Sequence, residues 1–371
     1  MKNIKEVFLV GGMIFGSIAG AGFASGKEVW YYFAQFGWIC YPIIIITGIL
    51  FFIFTFICLE FGKKFAIYTV QDMNSLLFHR ASFFAEILFA FSNLILLASM
   101  FAGADSLVGI SFDNTYRLGS VATAIITILI VWLGFDKIVK INCIIVPSMI
   151  GVVGLTFLFC MAGMPALSLP VVSDDWNFLF AILNCLMFVA SNIYFAGFIF
   201  ARLGKEHTTK TNLLGSILGS AFMVICLLGM VTTIYLNPYS SMSDMPLIYI
   251  ANSVSGVFGV ITQVVVWIGI VTTAVTLLYA ISNWLLMFWK HYQMITMLVS
   301  LCSLIISGLG FSSIINYFYP VLGSMGVIFV IIMCIVMKKP NKYNCKKIKG
   351  TNKNEIKNSS IRCKKSTENN K

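Results

Sequence analysis

A glycine-rich run near the start of the sequence is the segment best suited to binding a small polar molecule. Six glycines occupy the sixteen positions from Gly11 to Gly26, and each destabilises a helix by about 1 kcal/mol relative to alanine. Close helix packing through small residues explains the earlier glycines, but not Gly22 and Gly26, which stand beside Ser25 and Glu28. An interrupted helix there would offer carbonyl oxygens to a cation and N–H groups to an anion.

Two later stretches also place polar groups suited to binding within apolar sequence. Ser191 and Asn192 interrupt an apolar run and predict a second break, although such residues also join helices by hydrogen bonds. Gly269, Thr272 and Thr273 are spaced to lie on one face of a helix. Their carbonyl and hydroxyl oxygens suit a hard cation such as sodium. The alternative is that each threonine bonds back to its own helix.

The composition indicates that these stretches belong to a protein embedded in a membrane. Of the 371 residues, 59% are hydrophobic and 11% are charged, whereas soluble domains average about 45–50% apolar and about 25% charged residues. The chain has too little polar surface for a water-soluble domain, and its aromatic content of 15% excludes a disordered chain. Within lipid, an unwound segment is tolerated only where protein or a water-filled cavity satisfies its backbone.

Ten apolar segments approach the length of about 20 residues that a helix needs to cross a bilayer. We predict spans over Val7–Phe36, Trp38–Leu59, Phe84–Ala104, Leu118–Phe135, Ile138–Ala162, Phe178–Phe200, Asn212–Leu236, Val257–Trp289, Met294–Leu309 and Ile314–Met337. With a cytoplasmic N-terminus, ten spans put all Lys and Arg residues except Lys27 and Arg117 on the cytoplasmic side, in line with the positive-inside rule. The sequence thus predicts a multi-pass cell-membrane protein with both termini in the cytoplasm.

The positive charge of the chain is concentrated at its C-terminal end. The formal net charge is +11, and nearly all of the excess lies in residues 338–371, which are rich in Lys, Asn and Ser. Such a composition predicts a disordered tail, and its place after the last span favours anionic lipid over nucleic acid as its partner. We therefore divide the chain into a transmembrane domain, residues 1–337, and a basic cytoplasmic tail, residues 338–371.

The cysteine and histidine residues do not indicate a cofactor. The ten cysteines lie in apolar runs or in the tail without a CxxC pair, and the three histidines flank apolar segments. They predict no metal site, and a candidate nucleophile such as Ser25 has no intramembrane histidine partner. We expect neither catalytic residues nor a bound cofactor, and we do not expect an enzyme.

The first and sixth spans hold matching positions if the ten spans form two halves of five. Paired interruptions at matching positions are the best sequence indicator of a transporter's central site. Because each half has an odd number of spans, the two halves must have opposite orientations in the membrane. The sequence therefore predicts an all-α integral membrane fold with ten transmembrane helices in two inverted five-helix repeats, of which the first and sixth helices are broken.

The segment from Gly20 to Glu28, read with the aromatic run Val29–Phe33, resembles the first-span signature of YkvI-type bacterial membrane proteins. These belong to the amino acid–polyamine–organocation superfamily, which is similar in fold to the leucine transporter. The resemblance covers about residues 5–337 by span count, and its specific motif covers about 15 residues. It implies alternating access around a site at the membrane midplane, and the relatives it points to carry amino acids, nucleobases, betaines and metal ions.

The resemblance also implies roles for individual residues of this chain. It assigns the substrate site to the backbone of Gly20, Ala21, Gly22, Phe23, Ala24, Ser25, Gly26, Ser191 and Asn192. It assigns a sodium shell to Gly20, Phe23, Gly269, Thr272 and Thr273, or to a set shifted by one turn to include Thr276. Glu28 is either a carboxylate that couples transport to protons or an acidic residue that stabilises the first turn of the outer half-helix.

These observations predict a secondary active transporter of a small polar or zwitterionic solute, such as an amino acid. Its energy would come from a sodium or proton gradient, because the sequence contains no GxxxxGK[ST] motif for binding ATP. The alternatives are an ion channel, which would need rings of polar pore-lining residues, and a receptor that binds its ligand without transporting it. We expect a small-molecule solute and the lipid bilayer as partners, and the sequence does not indicate an oligomeric state.

Overall fold

The computed structural model is almost entirely helical in the residues that it describes, which are 2–18, 21–67, 69–111, 117–133, 151–152, 154–158 and 178–338. The tail from residue 339 onward and most of the predicted fifth span, Ile138–Ala162, lie outside these residues. The predictions for the tail and for the boundary at residue 338 therefore stay predictions. The described part of the fifth span, residues 151–152 and 154–158, is helical.

Besides the helical residues 151–152 and 154–158, thirteen α-helices follow one another in the described part of the chain. They are α1 (Lys2–Ile18), α2 (Ala21–Ser25), α3 (Lys27–Tyr32), α4 (Cys40–Phe65), α5 (Val70–Phe78), α6 (Ser82–Ser111), α7 (Leu118–Leu133), α8 (Phe178–Glu206), α9 (Thr209–Tyr235), α10 (Pro246–Val254), α11 (Gly256–Leu285), α12 (Tyr292–Ser307) and α13 (Phe311–Lys338). Short 3₁₀ helices cover Ala34–Ile39, His79–Ala81 and Pro238–Met242.

The long helices follow the order of the predicted spans. Helices α4, α6, α7, α8, α9, α11, α12 and α13 correspond to the second, third, fourth and sixth to tenth spans. Six segments of the described chain are long and apolar enough to cross a membrane, while α7 and α12 are shorter apolar helices. Large apolar side chains such as Ile225 and Ile305 are exposed on the helix surfaces, as expected where helices face lipid rather than water.

Two short helices that the sequence pattern did not predict reveal the internal repeat. Helix α5 lies between the second and third spans of the first half, and α10 lies between the second and third spans of the second half. Each is nine residues long. Helix α5 begins with a capping box, in which Thr69 and Asp72 each accept a hydrogen bond from the other's backbone N–H. The matching placement of α5 and α10 fits two five-helix repeats.

The first span is broken, as predicted. Helix α1 ends at Ile18, and α2 and α3 are separated by Gly26, whose φ of 82° lies in the left-handed region. A side chain at this φ would be strained, so glycine is the residue suited to this turn. A second interruption follows at Gly37, with a φ of 63° inside the 3₁₀ segment that leads into α4.

The sixth span is not broken, and this corrects the prediction. Helix α8 runs without interruption from Phe178 to Glu206. The hydroxyl of Ser191 and the amide of Asn192 both donate to the Phe188 carbonyl of the same helix, at 2.9 and 2.8 Å. The two polar side chains are therefore satisfied within an intact helix, which is the alternative role open to such residues.

Glycines allow the closest crossing of two spans, α4 and α8. A Cβ atom on Gly204 would overlap the backbone of Leu59, and one on Gly62 would overlap the backbone of Ala201. At each of these positions the backbone of one helix occupies the space that a side chain of the other would need. Small residues permit this close approach in membrane helices.

We expect Gly204→Ala to destabilise the protein by about 1–3 kcal/mol, the usual effect of adding volume to a packed interior. The matched control is Gly109→Ala in α6, because a Cβ atom there meets nothing within 4 Å. In detergent, thermal unfolding should begin several degrees lower in Gly204→Ala and should be unchanged or higher in Gly109→Ala. Equal unfolding temperatures would show that the crossing of α4 and α8 is looser than described.

Candidate solute and ion site

The break in the first span is held by local hydrogen bonds. The Ser25 hydroxyl donates to the Gly22 carbonyl at 2.8 Å and accepts from the Lys27 backbone N–H at 3.2 Å. The Gly26 N–H donates to the Phe23 carbonyl at 3.0 Å. Two of the N–H groups that an anion was expected to use are therefore already bonded within the chain.

The two short helices at the break lie among several other spans. Helix α2 packs against α6, α10 and α11, and α3 packs against α8, α9 and α13. Phe23 and Ser25 of α2 are buried, with exposed fractions of 3% and 0%. The break therefore lies at the centre of the helix bundle, where a binding site between the spans would be expected.

Glu28 projects back from α3 over the break. A Cβ atom on Gly22 would overlap the Glu28 carboxyl group, so a larger residue at this position would push the end of the Glu28 side chain aside. Glu28 is partly exposed, although its neighbours Val29, Tyr32 and Tyr319 are buried. It forms no ion pair with any described residue. A partly accessible acidic group without a counter-charge at this depth is a functional candidate.

Two tyrosine hydroxyls lie close enough to the Glu28 carboxyl group to interact with it. The Tyr319 hydroxyl interacts with the Glu28 carboxyl group and with the Ser99 hydroxyl, and Tyr32 also interacts with Glu28. Neither tyrosine hydroxyl completes a hydrogen bond of normal geometry within the described residues. The site thus combines one carboxyl group with two buried hydroxyls that have hydrogen-bonding capacity left over.

Gly269, Thr272 and Thr273, the residues proposed for sodium on the eighth span, lie on one continuous helix, as the spacing requires. The Thr272 hydroxyl donates to the Gly269 carbonyl at 3.0 Å, which brings these two oxygens together. This bond is also the back-bonding that the sequence left open as an alternative. Helix α11, which carries both residues and Thr273, packs against α2, which carries Phe23. The two elements of the predicted shell are therefore neighbours.

The other predicted site residues are placed as follows. Gly20 lies outside the described residues, whereas Ala21 and Ala24 lie in α2. Ser191 and Asn192 lie in the intact helix α8, and the backbone of Ser191 packs closely against Gly326 of α13. The prediction that Ser191 and Asn192 offer unwound backbone to the solute is therefore wrong, because their peptide groups belong to a continuous helix.

A second polar cluster fastens the loop before α10 to three spans, and we call it the loop clasp (Lys27, Ser106, Ser241, Ser243, Asp244 and Ser312). The Lys27 ammonium donates to the carbonyls of Ser241 and Ser243 at 3.2 and 3.0 Å and is attracted by Asp244. The Asp244 carboxylate accepts hydrogen bonds from the Ser106 hydroxyl at 2.8 Å and from the Ser312 hydroxyl. The clasp links α3, α6 and α13 to one loop.

The other exception to the positive-inside rule is also bonded within the protein. Arg117 forms an ion pair with Asp105 at 3.4 Å and donates to the Leu304 carbonyl at 2.9 Å and to the Ser307 hydroxyl at 2.5 Å. The two basic residues that the charge rule left outside, Lys27 and Arg117, thus each serve in specific contacts. A basic residue on the side where the positive-inside rule does not expect one was therefore a sequence signal for such contacts.

Several residues of the site carry no signal that sequence reasoning could use. Tyr319, Ser99, Ser106 and Ser312 lie in largely apolar spans, and their spacing gives no pattern that separates them from other polar residues of such spans. Asp244 lies in a loop, and the residues that it binds, Ser106 and Ser312, are distant from it in sequence. Among the described residues, no group of three or more His, Cys, Asp and Glu side chains comes close enough to hold a metal ion.

The helix order, the interrupted first span and the paired short helices define a ten-helix membrane transporter fold of the leucine-transporter type. The chain is similar in structure to the inward-facing conformation of Mhp1, with a TM-score of 0.64, 16% identity, and coverage of 88% of this chain and 75% of that chain. Mhp1 as a nucleobase-cation-symport-1 family transporter, in a closed conformation with bromovinylhydantoin bound, gives a TM-score of 0.50, with 14% identity and coverage of 89% and 74%.

The chain is also similar in structure to a manganese transporter and in sequence to one bacterial membrane protein. The Eremococcus coleocola manganese transporter, in complex with an aromatic bis-isothiourea substituted compound, has a TM-score of 0.54, 15% identity, and coverage of 90% and 76%. The uncharacterized membrane protein YkvI of Bacillus subtilis (strain 168) is 23% identical over 325 residues, which are 85% of this chain and 91% of that protein. No family model matches the sequence. At these identities, the structural likenesses show the fold.

Proposed function

We propose that this chain is a secondary active transporter of the cell membrane that moves a small polar solute by alternating access. The observation that carries the proposal is the break at Gly26, which puts α2, α3 and the Glu28 carboxyl group at the centre of the bundle. Interrupted helices of this kind form the central sites of transporters. The likeness in fold to Mhp1 and to the manganese transporter supports the same class of function.

Sodium is the coupling ion that the arrangement of α2 and α11 favours. The carbonyl of Gly269 and the hydroxyl of Thr272 already lie 3.0 Å apart, and Phe23 lies on the neighbouring helix. Oxygen ligands of this type suit a hard monovalent cation. Gly20 and Thr273 would complete the shell. The other coupling ion is the proton, which Glu28 would carry.

The orientation that we propose puts the N-terminus in the cytoplasm and the loop clasp at the opposite face. A closed clasp would then seal the outer side while the inner side opens to the cytoplasm. Alternating access requires that the clasp opens once in each cycle, because it ties three spans to one loop.

The proposal is tested with purified protein in two steps. A thermal-shift screen against amino acids, amines, nucleobases and betaines, in sodium and in choline buffers, identifies solutes by their stabilising effect. The protein is then placed in proteoliposomes, and counterflow of a stabilising solute is measured. Saturable exchange that depends on an ion gradient is expected. Unsaturable conductance would indicate a channel, and binding without any flux would indicate a receptor; either result would contradict the proposal.

We expect Thr272→Ala and Thr273→Ala to weaken the dependence of transport on sodium more than its maximal rate. Each substitution removes one oxygen ligand, so the sodium concentration for half-maximal uptake should rise about tenfold. The matched control is Thr262→Ala in the same helix, because the Thr262 hydroxyl donates to the Phe258 carbonyl in the same way at 2.9 Å. Unchanged sodium dependence in both variants would argue for coupling to protons.

A further inference from the structure

We propose that Glu28, Tyr32 and Tyr319 form a subsite for the ammonium group of a cationic amine, so that the transported solute carries net positive charge. This inference rests on the proposed function, because it assigns a substrate class to the same central site. It narrows the solute from the polar or zwitterionic class that the sequence favours to amines that lack a carboxylate.

The first support is the uncompensated acidic group at the break. Glu28 lies against Gly22 and forms no ion pair with a described residue. Lys27, its neighbour in sequence, directs its ammonium away to the carbonyls of Ser241 and Ser243. A carboxylate in a low-dielectric interior is strongly destabilised unless a cation or hydrogen-bond donors compensate its charge. A bound ammonium group supplies both the charge and the donors.

The second support is the hydrogen-bonding capacity beside Glu28. The hydroxyls of Tyr32 and Tyr319 are buried and complete no hydrogen bond of normal geometry in the described part of the chain. The Tyr319 hydroxyl nevertheless lies within hydrogen-bonding reach of the Glu28 carboxyl group and the Ser99 hydroxyl, and Tyr32 interacts electrostatically with Glu28. The Ser99 hydroxyl donates its hydrogen to the Leu96 carbonyl at 2.8 Å, which leaves its oxygen able to accept. An ammonium group has three donors, and one carboxylate with hydroxyl oxygens matches that number.

The third support is the aromatic environment of the subsite. The Tyr32 ring packs against Tyr31 at a centroid distance of 5.0 Å and against Phe188 at 5.4 Å. Phe33 also packs against Phe188 at 5.0 Å. Aromatic rings stabilise desolvated organic cations through their π-systems. A small cationic amine with an apolar body is therefore better matched to this environment than a strongly hydrated ion.

The fourth support is that the N–H groups which could bind an anion are already hydrogen-bonded within the chain. The Gly26 and Lys27 N–H groups, which a solute carboxylate would need, are bonded to Phe23 and Ser25. The only basic side chain of α2 and α3, Lys27, is engaged in the loop clasp. A zwitterion would thus place its carboxylate beside Glu28 without a compensating group, whereas a cation avoids this repulsion.

The test uses three probes that share a phenylethyl group and differ in the charge of the group attached to it. Purified full-length protein is titrated with 2-phenylethylammonium, 3-phenylpropanamide and 3-phenylpropionate, and binding is measured by thermal shift and by calorimetry. Saturable stabilisation by the ammonium compound, and weaker or absent stabilisation by the neutral and anionic compounds, is expected. Equal or tighter binding of the carboxylate would overturn the inference.

The variants separate the subsite from general effects on folding. Glu28→Gln should raise the Kd of 2-phenylethylammonium at least about tenfold, and Tyr319→Phe should raise it about threefold to tenfold. The matched control is Glu86→Gln, because the buried Glu86 carboxyl group already accepts a hydrogen bond from the Trp284 indole at 3.1 Å. If Glu28→Gln does not fold, Tyr319→Phe still tests the subsite, since it removes the hydroxyl that faces the Glu28 carboxyl group.

The outcomes also separate this inference from the proposed function. If Glu28→Gln binds the ammonium probe with unchanged Kd but loses transport driven by a pH gradient, Glu28 is a proton carrier and the subsite is refuted, while the transporter stands. If the ammonium probe binds through Glu28 but shows no counterflow in proteoliposomes, the subsite stands and the transporter is refuted.

Discussion

Gly22→Leu is expected to reduce the initial rate of solute uptake by about tenfold to a hundredfold while the protein still inserts into the membrane. Even a single Cβ atom at this position overlaps the Glu28 carboxyl group. The larger leucine side chain would displace the end of the Glu28 side chain from the break. An added cost of about 1–3 kcal/mol in the transport-competent state corresponds to a loss of this size.

The control for this substitution is Gly12→Leu in α1. A Cβ atom on Gly12 meets nothing within 4 Å, so a leucine there has open space although it lies in the same glycine-rich run. Both variants are compared by uptake in proteoliposomes and by yield of monodisperse protein in detergent. Full activity of Gly22→Leu, with normal yield, would refute the essential role of the break and of the position of Glu28.

Lys27→Met is expected to open the loop clasp. Methionine keeps an extended apolar side chain but removes the two hydrogen bonds to Ser241 and Ser243 and the attraction to Asp244. Hydrogen bonds to charged groups contribute about 1.5–3 kcal/mol each. Hydrogen–deuterium exchange in the peptides that cover α10 should therefore rise at least about tenfold, because the loop before α10 loses its tie to α3.

The control for the clasp is Lys64→Met. Lys64 also donates to a backbone carbonyl, that of Met337, at 3.0 Å, but this bond is exposed and lies away from the clasp. Exchange in α10 should be unchanged in this variant. If Lys27→Met leaves exchange in α10 at the level of the parent protein, the clasp does not hold the loop, and the alternating-access role assigned to it is wrong.

The two predicted breaks differ in how strongly the residues themselves specify the backbone. The break in the first span depends on glycines at positions where a left-handed φ is needed, and this preference is a property of the residue itself. The break in the sixth span was inferred from Ser191 and Asn192, whose side chains can serve either a broken or an intact helix. In the structure both donate to the Phe188 carbonyl, and the helix stays continuous.

The amino-acid sequence by itself determined the membrane class, the order of the spans and the interruption at Gly26, because hydrophobic length, charge placement and glycine content act over short distances along the chain. Only the tertiary structure decided that Glu28 faces Tyr319 and that Asp244 binds Ser106 and Ser312. These partners are far apart in sequence. Their contacts depend on how whole helices pack, which no local pattern of residues specifies.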